Sequence, residues 1–97
     1  MGAHTHSTDE YVLKLYVSGA SPNSLRAIDN LQQILETHLA GKYNLTIIDV
    51  RQDAAMAEQQ QIIALPMLIK VSPLPERRLI GDMSDLRKVL NGLGING

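Results

Sequence analysis

The chain has no cysteine, no tryptophan and no phenylalanine. Without thiols it can form no disulfide, no thiolate metal site and no thiol nucleophile. With three tyrosines as its only large rings, its core must be built from Leu, Ile, Val, Ala and Met. These pack adaptably but supply no large aromatic anchor. No apolar run approaches the roughly 20 residues of a membrane span. The opening MGAHTHSTDE lacks the apolar stretch of a secretory signal. An excess of one charge is also missing. The net charge is -1 and the pI about 6.2, which argues against a general electrostatic hold on nucleic acid or on an anionic membrane. Phosphate-cradling GxxxxGK[ST] and GxGxxG loops are absent. The expectation is a cytoplasmic protein with no cofactor, no nucleic acid and no membrane partner.

What remains is enough for one small domain. The 97 residues are 44% apolar, sufficient for a single core of modest stability. Residues 1–10 are polar and aperiodic and read as a disordered leader. His4 and His6 within it read as incidental, without a metal role. Residues 11–97 read as the domain. Tyr11 to Val17 is β-branched and aromatic, with Lys14 its only charge, and suits a central strand covered on both faces. Gly19 and Ala20 end it. Ser21 is placed to cap a helix, with Pro22 at its first position, where a missing N–H costs nothing. Leu25, Ile28, Leu31, Leu35 and Leu39 recur at helical spacing, Ile34 beside them, and Gly41 is the expected C′ residue.

Asn44 to Val50 reads as a second strand, parallel to the first. Asp53 to Gln61 reads as a marginal helix capped by Asp53. Its apolar face is thin: Ala54, Met56, Ala57, then Ile62. Met67 to Val71 and Arg78 to Ile80 read as short strands around SPLPE, whose prolines exclude a helix. Asp82 or Ser84 is expected to cap a last helix carrying Leu86, Val89, Leu90 and Leu93. The order β-α-β-α-β-β-α is the thioredoxin-like arrangement.

In such folds the first strand-to-helix corner carries a redox CxxC pair, and a cis-proline stands opposite it. Here the corner is Ser21-Pro22-Asn23-Ser24, and Leu65-Pro66 stands before the third strand. Pro66 reads either as a groove wall or as an ordinary strand-start proline. A catalytic Ser21 lacks a nearby base, His38 lying at the far end of the same helix. Asp49, Asp53, Asp82 and Asp85 read mainly as caps rather than as a metal or acid–base cluster. Arg77-Arg78 and Arg87-Lys88 read as solvated or interface charges.

Three segments, YVLKLYVSGASPNSLRA, NLTIIDV with the following AMAEQQQIIALPMLIKV, and PLPERRLIGDMSDLRKVLNGL, resemble the KaiB family of cyanobacterial circadian-clock proteins. The strongest signatures are Gly19 to Ser24 and Arg77 to Asp82. The resemblance implies a binding protein and no enzyme. It implies a KaiC-like ATPase ring as partner, with KaiA and clock histidine kinases engaged in turn. It also implies two folds of one sequence: a tetrameric ground state, β-α-β-β-α-α-β, and a monomeric thioredoxin-like state. Two packings within a few kcal/mol of each other are what such switching requires. The weakly patterned half after Val50 is where they would compete.

By that resemblance the partner-facing residues are Arg26, Thr46, Glu58 and Gln61. The candidates for governing the fold choice are Pro66, Pro73, Pro75, Gly92 and Gly94. Family members typically carry Lys where this chain has Thr46 and Gln61, which puts KaiA capture in more doubt than KaiC binding. The family also continues past Leu93 with Asp and Leu- and Tyr-containing residues, where this chain has Gly94-Ile95-Asn96-Gly97. The monomeric thioredoxin-like state is therefore expected here, with the tetramer as the alternative. Other readings are a divergent KaiB homologue outside the main oscillator, a KaiB-like sensor domain at the N-terminus of a histidine kinase, and a serine-based thioredoxin- or transferase-like enzyme.

Overall fold

A computed structural model describes residues 10–62 and 64–95. Residues 1–9 of the leader, with His4 and His6, lie outside them, as do residue 63 and the last two residues. The elements run β1 (Tyr11–Val17), α1 (Pro22–His38), β2 (Tyr43–Asp49), α2 (Ala54–Gln59), β3 (Met67–Ser72), β4 (Arg77–Ile80) and α3 (Leu86–Leu93). This is the thioredoxin-like order, and the segment after Ser84 is a helix, as expected.

The sheet order is β2-β1-β3-β4. β1 pairs in parallel with β2, from Tyr11 opposite Tyr43 to Val17 opposite Asp49. It pairs antiparallel with β3, which pairs antiparallel with β4. Alternation along the strands sends side chains to two faces. Leu13, Leu15, Val17 and Leu68 pack under α1 and α3 with Leu31, Leu35, Leu90 and Leu93. Tyr16, Met67 and Ile69 pack on the other face with Met56, Ile62 and Leu65, beneath α2. Both central strands are covered on both sides, which is why YVLKLYV and MLIKV are almost continuously apolar.

Several local expectations need correction. The buried stripe of α1 runs through Ala27, Leu31, Ile34 and Leu35, whereas Leu25 is 53% exposed; in the first turn, Ser24 faces inward in its place. α1 ends at His38, and Leu39 is its cap, donating its N–H to the Leu35 carbonyl. Gly41 is not the C′ residue; it stands one position further on with φ +74. The cap of α3 is Asp85, whose carboxylate accepts the Lys88 N–H at 3.1 Å, not Asp82 or Ser84. Asp82 instead closes a turn by accepting the Ser84 N–H at 3.1 Å. β2 and β4 each begin one residue earlier than expected. α2 spans Ala54–Gln59, with Ala57 its only buried residue, in keeping with its thin apolar face. The bonds before Pro66, Pro73 and Pro75 are all cis.

Candidate functional site

The β1–α1 corner is fully used in holding its own backbone. Ser21 takes an extended conformation, φ -60 and ψ 152, and its Oγ accepts the Ser24 N–H at 3.3 Å. Its hydroxyl donates to Ser24 Oγ at 2.9 Å, and the same Oγ accepts the Ser18 N–H at 3.0 Å. Across the corner, Asp49 Oδ1 accepts the N–H groups of Gly19 at 3.1 Å and of Arg51 at 3.0 Å. These hydrogen bonds, Arg51 first, hold the Asp49 carboxyl below its ordinary value. Gly19 is needed for its backbone. Its φ is +55, a left-handed conformation that side chains rarely adopt, whereas the exposed Arg51 guanidinium that a Cβ would meet can swing aside. A shallow depression of about 320 Å³ beside the corner is lined by Ser18, Ser21, Pro22, Asn23, Ser24 and Leu65. His38, 17 positions from Ser21 at the opposite end of α1, is no base for that serine.

A second concavity lies on the α2 face. Glu58, Gln61, Ile62 and Arg78 line an open cavity of about 630 Å³. Gln61 follows α2 with φ +58. Its carbonyl accepts from Arg78 Nη1 at 3.3 Å, which ties the α2 exit to β4. Arg78 also pairs with Glu76 at 3.6 Å. Acid, amide, aliphatic and guanidinium groups therefore share one open surface, suited to a mixed polar and apolar protein contact. Arg78 was read from sequence only as one of a basic pair. Its signal was the Arg-Arg of the RRLIGD stretch; its partner Gln61 is brought to it by the fold.

The four partner-facing candidates do not form one site. Glu58 and Gln61 meet in the α2 cavity. Arg26 projects from α1, in the opposite layer, and pairs with Asp82 at 3.4 Å. Thr46 is exposed on β2, at one free edge of the sheet. The other candidates are scattered too. Pro66 leads into β3, while Pro73 and Pro75 flank the exposed Leu74 in the β3–β4 turn. Gly92 packs on Leu79, and Gly94 caps α3 with φ +78. Among the described residues no group of three His, Asp or Glu side chains is placed to hold a metal ion, and no helix is long and apolar enough to cross a membrane.

The sheet order, the capped corner and the missing thiols define a thioredoxin-like domain stripped of its redox pair. Solved structures agree on the fold. The N-terminal domain of Synechococcus elongatus SasA superposes with a TM-score of 0.75 at 20% identity, covering 97% of this chain and 92% of that one. A chloroplastic thioredoxin z gives a TM-score of 0.71 at 17% identity, over 91% and 81% of the two chains. The sequence is more specific. Residues 14–95 match the KaiB domain model, and the chain belongs to the KaiB family. It is 53% identical over 85 residues to the circadian clock oscillator protein KaiB of Synechococcus elongatus, covering 88% of this chain and 83% of that protein. It is 54% identical to the protein of the same name from Picosynechococcus, over 88% and 82%.

Proposed function

We propose that this chain is a non-enzymatic clock-type docking protein. In its thioredoxin-like state it binds the ring of a KaiC-like ATPase and alters how KaiA and clock histidine kinases are engaged. The observation that carries the reading is the pairing of KaiB family membership with a corner whose hydroxyls and carboxylate are already committed to holding the backbone. The α2 cavity, with Glu58, Gln61 and Arg78, is the proposed ATPase-facing surface. Arg26 on α1 is a rim contact. The β2 edge at Thr46 is the proposed KaiA-facing surface, weakened by the lost positive charge. The free form is proposed to be a cytoplasmic monomer, with the tetrameric packing as a minor state.

A slow-incubation pull-down against a KaiC hexamer, followed by addition of KaiA, tests this. Binding of KaiC that is weakened about tenfold or more by Glu58→Lys or Arg78→Glu, and left intact by Thr46→Glu, is the expected pattern. KaiC binding indifferent to the first two changes would move the interface elsewhere. No binding at all would leave a kinase-attached sensor domain as the better reading.

A further inference from the structure

The sheet has two free edges, β2 and β4, and only one of them is blunted. β4 is four residues long and opens on Arg77 and Arg78, with Pro75 just before it. Shortness, charge and proline are the usual guards against pairing with another chain. β2 has none of them. It runs for seven residues, Tyr43–Asp49, and from Asn44 to Ile48 it carries no charge, no proline and no glycine. Ile47 is 40% exposed on it.

Two hydrogen bonds fix which way its backbone points. The Tyr11 N–H donates to the Lys42 carbonyl at 2.8 Å, and the Val50 N–H donates to the Val17 carbonyl at 3.0 Å. Backbone groups of successive residues turn to opposite sides of a strand. Those of Asn44, Thr46 and Ile48 therefore face β1. Those of Tyr43, Leu45 and Ile47 face the free side, and among the described residues none of them has a hydrogen-bond partner. The Asp49 carbonyl is taken by the Gln52 N–H at 3.0 Å, which closes the row.

That row is symmetric about Thr46, the midpoint of the strand. Two copies laid antiparallel about a two-fold axis at Thr46 pair each Leu45 with the second copy's Ile47 through free N–H and carbonyl groups. Thr46 then meets its own counterpart in the close pair that has no backbone bonds between its members. The Leu45–Ile47 contact covers the exposed isoleucine. The charges at the two ends also match. Near one end the Tyr43 hydroxyl donates to Glu36. At the other, Arg51 pairs with Asp49 at 3.5 Å and is exposed. Antiparallel pairing sets Tyr43 opposite the second copy's Asp49, so each Arg51 comes to the side of the other copy's Glu36. A net charge of -1 leaves little repulsion between copies.

We propose that the β2 edge is a self-association surface, on which two copies of this chain pair β2 to β2, antiparallel about Thr46, into one continuous sheet. The contact is a single strand pair, below the ~1,200 Å² of a standard stable interface. The dimer is therefore transient, and the dilute chain is the monomer proposed above. Because the pairing covers Thr46, it excludes any other protein from that edge while it lasts.

Sedimentation and amide NMR spectra from about 10 μM to about 1 mM test this. The mean mass is expected to rise from 10.7 kDa toward twice that value, with concentration-dependent shifts centred on the Leu45 and Ile47 amides. Thr46→Lys sets two ammonium groups face to face at the axis and should weaken association about tenfold or more. The chain has no cysteine, so Thr46→Cys gives a second readout. On oxidation it should link two copies rapidly. Asn44→Cys, on the same face but opposite the second copy's Ile48, should link them slowly. A monomer even at about 1 mM would overturn the proposal and leave the edge to a different protein. So would a tetramer, association indifferent to Thr46→Lys, or equal linking by the two cysteine variants. If T46K fails to fold, the comparison of the cysteine variants decides.

Discussion

The hydroxyl of Tyr11 donates to the carbonyl of Leu93 at 2.9 Å, joining the first residue of β1 to the last residue of α3 across 82 positions of sequence. The last helix is held to the sheet by this bond, by the apolar contacts of Val89, Leu90 and Leu93, and by the close approach of Gly92 to β4. Tyr11→Phe keeps the ring and removes only the donor. It should cost about 1 kcal/mol, seen as a lower denaturation midpoint. Amide exchange in α3 should speed up more than in α1. Equal acceleration in both helices would show that the bond does not act on α3 in particular.

Gly92 sets two effects against each other. A glycine inside a helix costs about 1 kcal/mol relative to alanine. Yet a Cβ at this position would meet Leu79 Cδ1 at 2.5 Å and its Cγ at 2.9 Å, so the Leu79 side chain must shift if one is added. Gly92→Ala alone should therefore gain less than the propensity difference. The same change in a Leu79→Ala background should recover it, with a coupling of about 0.5–1 kcal/mol in a double-mutant cycle. Additive denaturation free energies would mean that Leu79 moves aside without cost.

Ser21 separates capping from chemistry. Removing an N-cap hydroxyl typically costs about 1 kcal/mol, and Ser21 Oγ accepts the Ser24 N–H at 3.3 Å. Ser21→Ala should lower stability by that amount, while Ser21→Asp or Ser21→Asn should restore most of it. If the hydroxyl has only this role, all variants that fold bind a partner alike once allowance is made for their stability. A binding defect that Asp and Asn do not rescue would assign Ser21 a direct contact.

These cases show why some parts of the molecule could be read from sequence and others could not. The β1–α1 corner was legible because its determinants are adjacent: a β-rich run, Ser21 as cap and Pro22 behind it. The order of elements followed from local periodicity. The inward turn of Ser24 in place of Leu25 was hidden, because the serine's partners, the Ser18 N–H and the Ser21 hydroxyl, are a matter of backbone path. Lys70, 5% exposed, was hidden more deeply. MLIKV reads as a strand whatever its fourth residue does, and its burial depends on α3 arriving over it from a distant segment. The α2 cavity joins Gln61 to Arg78 across 17 positions. Family resemblance pointed to Gln61, and long-range strand pairing supplied Arg78.

Acid should loosen the molecule at two separate carboxylates. Asp49 is held below its ordinary value of 3.8 by the Arg51 backbone hydrogen bond first, with the Gly19 bond adding to it. Asp82 is held below 3.8 by the Ser84 side-chain hydrogen bond first, then the Ser84 backbone bond, with Arg26 adding to it. A carboxylate whose folded pKa is depressed stabilises the fold above its unfolded value, and that contribution fades as pH falls through the folded one. Melting temperature should therefore fall below about pH 4. Asp49→Asn and Asp82→Asn should each lower it at neutral pH and flatten part of the acid limb. The two sites bind different corners, Asp49 the β1–α1 turn and Asp82 the loop before α3, so their effects should add. Arg26→Ala removes the 3.4 Å ion pair with Asp82. The pair is solvent-exposed and screened, so this change should alter stability little and leave the Ser84 bonds to keep most of the depression. An acid limb unchanged in the double Asp49→Asn, Asp82→Asn variant would place acid sensitivity in other carboxylates.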